Sequence, residues 1–365
     1  MSQDGIGRRV ADSIPAEMTQ GQVASRIGLS DAKLSKSLRG KRAFSSVELA
    51  QLAEALHVDV HWLITGKPDP HRVVVAARHD FDHRTGARDV PNRTRDQPVI
   101  DDVELAYRQA LAKWSEAITR LPATAEQVRD ELGPDFVRPL ADRIESVLDV
   151  DVIRVPRLST AYSFSIGSRN VIVLPATGNW FRENWDLAHE LGHLVFHHHA
   201  EDLTERERGR CEAAANAFAA NLLLPESRMR AIDWNGLTEA ELADLVWDLG
   251  VSTAAVMTRL NSLNIPLDER VHELLTMKTQ RLLRWHWAGQ REHGIDEITQ
   301  RMDDAATRRF PLKLQEAHTD LIAEGAIGKG TLAWMLGIDS AALEVDEPPL
   351  PESISTDQLV AELGL

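Results

Sequence analysis

The spacing of apolar residues changes several times along the chain, and the first pattern is helical. Between residues 19 and 64, apolar residues recur three and four positions apart, as on one face of a helix. Gly28 interrupts this pattern, and Ser30 is a residue type that favours the start of the next helix. Short helices joined by a glycine-containing turn are typical of the helix-turn-helix motif, which we predict within residues 1–70.

The helical pattern fades in residues 71–100, where prolines and charged residues interrupt it. We interpret this segment as a linker between two domains. It contains four residues that could suggest a metal site, namely His79, Asp80, Asp82 and His83. A solvated charged loop is the favoured interpretation, because no apolar residues flank the group.

Helical spacing returns in residues 101–120 and 123–148. The spacing of apolar residues then shortens to a period of two residues. Strand-like alternation follows in three short runs, with Gly167 in the turn between the last two: 150–154, 161–166 and 170–174. These runs predict a small three-stranded sheet.

Two long helices are predicted after the sheet. The first covers about residues 184–199, and the second covers about residues 210–224 and is stopped by Pro225, which cannot continue a helix. The remaining sequence is also helical in pattern. We therefore predict a domain of mixed helices and strands at 101–235 and a helical region at 236–365, so that the chain as a whole is mainly α.

The charge of the chain is unevenly distributed. Its formal net charge is −15, from 41 basic and 56 acidic residues. Residues 1–70 carry 9 basic and 8 acidic side chains, whereas the strongly acidic remainder would repel nucleic acid. Any contact with double-stranded DNA is therefore expected in residues 20–45, where basic side chains cluster. The candidate DNA-binding residues are Lys33, Lys36, Arg39, Lys41 and Arg42.

Cysteine content and hydropathy favour a cytoplasmic protein that does not contact a membrane. Cys211 is the one cysteine of the sequence, so no intrachain disulfide can form. No apolar stretch approaches the roughly 18–20 residues needed to cross a bilayer. Residues 1–9 are polar and lack the apolar core of a signal peptide.

The sequence His189-Glu190-Leu191-Gly192-His193 indicates a metal site. Residues four apart lie on one face of a helix, so two imidazoles at this spacing can bind one zinc ion. Glu190 sits beside that face, where a carboxylate can act on a water molecule at the metal. This arrangement is typical of zinc-dependent peptidases.

A catalytic zinc usually takes three protein ligands and keeps one position open. Glu212 is the best candidate for the third ligand, near the start of the next predicted helix. Two antiparallel helices joined by a loop of roughly ten residues would return this turn towards His193. The segment 212–225 is rich in alanine, and small residues allow the second helix to approach the first closely.

His193 and His197 form a competing ligand pair, because they are also four residues apart. On a continuous helix His189 and His197 would be about 12 Å apart, so all three histidines cannot hold one tetrahedral ion. The pair His193–His197 would also leave Glu190 misplaced for chemistry. We favour the pair His189–His193.

Other polar residues near the motif have two interpretations each. Cys211 is a redox handle or a fourth ligand, or it is a small buried core thiol, which is the favoured interpretation. His198 and His199 are expected to be exposed or to act as favourable charges at a helix C-terminus. Asn216 lies one turn after Glu212 and either hydrogen-bonds near the site or serves in packing or capping.

These residues predict metal-assisted hydrolysis of a peptide bond. Zinc lowers the pKa of water and polarises the scissile carbonyl. Glu190 would remove the water proton and pass it to the leaving amine. One of two predicted strands, 161–166 or 170–174, could offer its edge to an extended peptide as an extra strand.

The two site helices resemble those of the ImmA/IrrE family of metallopeptidases. The resemblance rests on HELGHLVFHH at 189–198 and on EAAANAFAANLLLP at 212–225, and it covers about residues 101–265. It implies a zincin-like α+β domain and a gluzincin-like metallo-endopeptidase with one zinc ion per chain. It further implies Glu190 as the general base and three zinc ligands, His189, His193 and Glu212.

Residues 7–66 resemble the XRE or Cro/C1-type helix-turn-helix regulators. Members of the metallopeptidase family often cleave a regulator of that type, which implies a DNA-associated endopeptidase that alters transcription. The expected substrate is an XRE-type repressor or the chain itself. The alternative is a transcriptional repressor or antitoxin whose zinc domain is a sensor or scaffold without turnover. A homodimer is left open under both hypotheses.

Overall fold

The computed structural model of the chain divides into two compact units, residues 1–72 and 73–365. Each unit has hydrophobic core residues of its own. The residues that the structure describes are 3–15, 18–56, 58, 60–67, 76–77, 80–81, 88–89, 93–114, 119–198, 203–287, 289 and 296–348.

The first unit is a bundle of short helices: Gln3–Asp12 (α1), Gln20–Arg26 (α2), Asp31–Leu38 (α3), Ser46–Leu56 (α4) and Val60–Thr65 (α5). Its core includes the fully buried side chains of Leu34, Leu52 and Leu63. Between α2 and α3, Gly28 has a φ angle of +68°, a left-handed conformation that glycine adopts without steric cost. The turn predicted at Gly28 therefore separates two helices as expected.

The second unit is built on a small mixed sheet. Its strands are Ala76–Ala77 (β1), Asp80–Phe81 (β2), Arg88–Asp89 (β3), Val150–Val155 (β4), Tyr162–Ile166 (β5) and Arg169–Pro175 (β6). The main sheet has the order β1-β5-β6-β4, in which β4 and β6 are parallel and the other pairs are antiparallel. The predicted three-stranded sheet is confirmed, and β1 extends it at one edge. Strands β2 and β3 pair separately.

Both faces of the sheet are covered, which explains why β4 and β6 are buried along their whole length. In β6, Ile172 and Leu174 belong to the core on one face, and Val171 and Val173 belong to the core on the other. This division follows from the two-residue period of a strand. Gly167, with a φ angle of +56°, lies in the tight turn between β5 and β6, as predicted.

The helices around the sheet are Arg93–Ala110 (α6), Ala125–Leu132 (α7), Leu140–Leu148 (α8), Trp180–Val195 (α9) and Glu205–Leu223 (α10). The helical spacing predicted over 123–148 belongs to two helices, because Gly133 ends α7 with a φ angle of +75° and Pro139 precedes α8. Helix α6 begins at Arg93, inside the segment interpreted as a linker, and Leu111–Lys113 adds a 3-10 turn after it.

The two site helices also differ from their predicted bounds. Helix α9 begins four residues before the predicted start, because the side chain of Asn179 caps it by accepting from the backbone N–H of Arg182. Helix α10 begins five residues early, because Thr204 and Glu207 form a capping box. Glu212 therefore lies in the interior of α10 rather than near its start.

The region after α10 is helical, as predicted, and it belongs to the second compact unit. Its α-helices are Glu226–Ala231 (α11), Glu239–Leu249 (α12), Thr253–Ser262 (α13), Glu269–Thr276 (α14), Thr279–His286 (α15), Glu297–Ala306 (α16), Leu312–Ala323 (α17) and Gly330–Leu336 (α18). Among the described residues, every helix is either too short or too polar to cross a lipid bilayer.

Helices α9 and α10 pack closely where Gly192 faces the second helix. A Cβ atom at Gly192 would lie 3.2 Å from Ala215 Cα and 3.2 Å from Phe218 Cβ, which is tighter than ordinary van der Waals contact. The absence of a side chain at Gly192 therefore allows the two helix backbones to approach each other. The short distance between the two backbones allows side chains of α10 to reach side chains of α9.

Replacing Gly192 by valine is expected to lower the free energy of unfolding by about 1–3 kcal/mol, because the added atoms force the helices apart. The measurement is chemical denaturation of the full chain. Gly328→Val is the matched control, since a Cβ atom at Gly328 meets nothing within 4 Å. An equal effect of the two substitutions would contradict the importance of this contact.

Candidate metal centre

Helices α9 and α10 bring together three of the residues proposed from the sequence. One ligand atom each from His189, His193 and Glu212 lies within 4.8 Å of the others. The two histidines are one turn apart on α9, and Glu212 faces them from α10. All three side chains are buried, with exposed fractions of 0%, 2% and 3%.

The spacing of these atoms fits a tetrahedral zinc ion. The distance between His189 Nε2 and His193 Nε2 is 3.1 Å. His189 Nε2 lies 3.4 Å from Glu212 Oε2, and His193 Nε2 lies 3.4 Å from the other carboxylate oxygen, Oε1. Ligand atoms at zinc distances of 2.0–2.1 Å and tetrahedral angles are separated by about 3.3 Å. These three side chains, which we call the ligand triangle, therefore lie at separations close to those of ligands on one zinc ion.

The second ring nitrogen of each histidine has a partner that sets its protonation. His189 Nδ1 lies 3.2 Å from Asn216 Oδ1, an acceptor, so Nδ1 carries the proton and Nε2 is free to bind a metal. His193 Nδ1 lies 3.2 Å from His198 Nδ1. Burial beside His193 lowers the pKa of His198 to about 4, so its ring is neutral and can accept this hydrogen bond.

The position of His198 corrects the expectation that this side chain is exposed or serves as a charge at the end of the helix. Helix α9 ends at Val195, and His197 follows in a left-handed conformation with a φ angle of +54°. This reversal turns His198 back against His193. The predicted continuous helix through His197 is therefore wrong, and the alternative pair His193–His197 loses its geometric basis. His199 lies outside the described residues.

Glu190 is held beside the ligand triangle by the sheet. Its Oε2 accepts a hydrogen bond of 2.7 Å from Ser163 Oγ on β5, whereas its Oε1 is buried without a hydrogen-bond partner. Burial raises the pKa of Glu190 to about 7, although His193 and the hydrogen bond from Ser163 favour the carboxylate. A buried oxygen with no partner in the protein fits an acceptor for a water molecule at the metal.

Glu212 differs from Glu190 in its electrostatic surroundings. Burial alone would raise the pKa of Glu212, but hydrogen bonding and charge from His189 and His193 outweigh burial and lower it to about 2. Glu212 is therefore an anion, as a carboxylate that binds a metal must be. Two neighbouring carboxylates thus have different protonation chemistry, which suits one for binding a metal and the other for accepting a proton.

Two polar residues near the site have other roles. Cys211 is half-buried and is not part of the ligand group found among the described residues. Burial and the nearby Glu212 raise the pKa of its thiol, and Cys211 is not among the buried residues of the hydrophobic core, which corrects its interpretation as a buried core thiol. Tyr162 Oη donates a hydrogen bond of 2.8 Å to Oδ2 of Asp96, which lies on α6. This hydroxyl is therefore directed to a carboxylate outside the ligand group.

The residues proposed for DNA contact lie in the first unit, on and after α3. Four of them have exposed side chains: Lys33, Lys36, Arg39 and Lys41. Arg42 is only partly exposed, and its guanidinium donates to both oxygens of Glu48 and to Ser37. These bonds favour a structural role for Arg42. Of the four residues suggested as a metal group in the linker, His79, Asp82 and His83 lie outside the described residues, as does the side chain of Asp80.

Sequence reasoning missed Ser163. Its signal is weak, because β5 alternates polar and apolar residues and a serine in such a strand ordinarily faces solvent. In the structure Ser163 is fully buried, because α9 packs on this face of the sheet. Asn216, for which two interpretations were open, is the hydrogen-bond partner of His189.

Residues 147–261 match the family model described as the IrrE N-terminal-like domain, Peptidase M78. No curated protein and no solved structure matches the chain significantly. The matched segment includes β4, β5, β6, α9 and α10, and therefore all residues of the candidate metal centre. The match supports the resemblance to the ImmA/IrrE family and a metallopeptidase in general.

Replacing Glu212 by glutamine is expected to lower zinc affinity by at least about 100-fold, since loss of a direct ligand costs more than loss of a partner of a ligand. The measurement is metal content of the purified full chain, followed by competition against a chromophoric chelator. Glu205→Gln is the control, because Glu205 is exposed on the same helix. Undiminished zinc binding by Glu212→Gln would exclude Glu212 as a ligand.

Proposed function

We propose that the second unit is a zinc-dependent endopeptidase of the gluzincin type, with one zinc ion per chain held by His189, His193 and Glu212. The observation that carries this proposal is the ligand triangle together with the unpartnered Oε1 of Glu190. A structural zinc is usually closed by four protein ligands. Three ligands beside a carboxylate with a free acceptor oxygen suit hydrolysis instead.

Four residues around the ligand group have separate roles in the proposed reaction. Zinc, when bound, supplies Lewis acidity for water and for the scissile carbonyl. Glu190 accepts the proton of the attacking water at Oε1 and delivers it to the leaving amine. Ser163 holds Oε2 and so orients the carboxylate. Asn216 and His198 fix the ring orientations of the two histidines.

The proposed substrate is an XRE-type repressor or this chain itself, and the proposed setting is the cytoplasm. The first unit supports association with double-stranded DNA through residues 20–45, because α2, the turn at Gly28 and α3 have the order of a helix-turn-helix. The exposed side chains of Lys33, Lys36, Arg39 and Lys41 supply the cations that phosphate contact needs. Cleavage of a regulator near DNA would alter transcription.

A transcriptional repressor or antitoxin with a non-catalytic zinc domain is the second candidate. One observation favours it: Glu190 and all three ligand residues are at most 3% exposed, whereas a peptide substrate needs access to them. In that case the metal would stabilise the domain or act as a sensor. The unpartnered oxygen of Glu190 favours the peptidase, since a scaffold gains nothing from a buried orphan acceptor.

Replacing Glu190 by glutamine is expected to retain zinc and to reduce proteolysis by at least about 100-fold, because a general base is lost. The measurement is mass spectrometry of XRE-type regulators, this chain included, after incubation with zinc-loaded protein. Glu205→Gln should cleave as the wild type does. Cleavage by Glu190→Gln at the wild-type rate would refute the mechanism. Unchanged regulation in cells by Glu190→Gln would support the non-catalytic alternative.

Replacing Lys36 by glutamine is expected to weaken binding to a random-sequence DNA duplex. The slope of log affinity against log salt should become shallower by about 0.9, because one phosphate contact is lost. The measurement is fluorescence anisotropy at several salt concentrations. Lys67→Gln removes the same charge from an exposed position after α5 and is the control. Equal slopes for the two variants would contradict a DNA-contacting role of Lys36.

A further inference from the structure

The strand nearest to Glu190 is already paired with another part of the same chain. Strand β5 carries Ser163, whose hydroxyl holds Glu190. On one side β5 pairs with β6, and on the other it pairs antiparallel with β1. The register places Ala76 opposite Ser163 and Ala77 opposite Tyr162. The backbone of β1 therefore runs directly beside the residue that orients the proposed general base.

This arrangement decides which strand could receive a peptide. Strand β6 lies between β5 and β4, so residues 170–174, one of the two edges predicted from the sequence, have no free edge. Strand β4 forms the opposite edge of the sheet, one strand further from Ser163. The outer side of β5 is thus the edge at which an extended peptide would reach Glu190 by adding a strand. Ala76 and Ala77 lie along that edge.

We propose that Ala76–Ala77 occupies the peptide-binding edge of the proposed active site, so that the chain's own segment competes with a substrate protein. This inference rests on the proposed function. The segment resembles a bound peptide in three respects: it is extended, it is antiparallel to β5, and it is aligned with Ser163. It follows the boundary between the two units at residues 72 and 73.

The pairing of β1 with β5 is strong enough to compete with a peptide and weak enough to be released. A tethered segment competes at an effective concentration on the order of millimolar, which excludes a weakly bound peptide without any additional contact. The ladder between β1 and β5 is only two residues long, so its release costs few hydrogen bonds. The low exposure of Glu190 and of the three ligand residues agrees with a site that is closed in this state.

Hydrogen exchange of the full chain tests whether the ladder protects β5. The double variant Ala76→Pro/Ala77→Pro removes both backbone donors of β1, so the β5 amides that face β1, followed in a peptide covering residues 160–166, should exchange at least tenfold faster than in the wild type. Ala76→Val/Ala77→Val keeps both donors and favours a strand, so it should exchange as the wild type does. Ala76→Gly/Ala77→Gly weakens the strand without a ring and should be intermediate.

Peptide binding tests the competition itself. The probe is a fluorescein-labelled peptide with the sequence of residues 71–82, and the protein is the full chain in a Glu190→Gln background, which removes turnover. Anisotropy should show at least tenfold tighter binding to the proline variant than to the valine variant. Thermal unfolding of each variant verifies that the second unit is folded.

Two results would overturn the inference. One is equal exchange of residues 160–166 in the proline and valine variants. The other is equal affinity for the peptide, including an absence of binding to both. Neither readout depends on hydrolysis, so the inference can fail while the peptidase stands. Conversely, protection and competition can hold in a chain that never cleaves a regulator, which would leave a peptide-binding edge without the proposed chemistry.

Discussion

The close contact between α9 and α10 is the constraint on which the candidate metal centre depends. Donor atoms from two helices converge on one ion only where the helix backbones nearly touch. Gly192 leaves that space on α9, and Ala215 and the Cβ atom of Phe218 lie against it on α10. The alanine-rich sequence of α10 thus has a geometric consequence, because it holds Glu212 within reach of both imidazoles.

Burial makes the polar groups of the centre depend on one another. Burying any of these polar groups without a hydrogen-bond partner would cost free energy. Each hydrogen bond also fixes the orientation of the group that it joins. Asn216 orients His189, His198 orients His193, and Ser163 orients Glu190. The Oε1 atom of Glu190 is the exception among them, and this exception is the observation on which the proposed catalytic role depends. The same burial limits access to these groups, and the proposed role of β1 concerns that access.

The spacing of apolar residues was sufficient to predict the two site helices and strands β4 to β6. Local capping decided where the helices begin and end. Asn179 and Thr204 started α9 and α10 earlier than the apolar pattern indicated, because their side chains satisfy free backbone N–H groups. Gly133 ends α7 with a positive φ angle, so the helical spacing over 123–148 belongs to two helices. The pair His189 and Glu212 could be proposed from spacing and a family resemblance. His198 could not, because its position depends on a chain reversal after Val195.

The amino-acid sequence by itself determined strands β4 to β6, the two site helices, the histidine pair and the basic segment of the first unit, because each is a local pattern of spacing or charge. Only the tertiary structure decided which distant groups meet. The contact between Ser163 and Glu190 joins a strand to a helix, and the pairing of Ala76 with Ser163 joins segments far apart in the chain. Such contacts produce no periodic pattern in the sequence, because they arise from packing between elements that are distant in the chain.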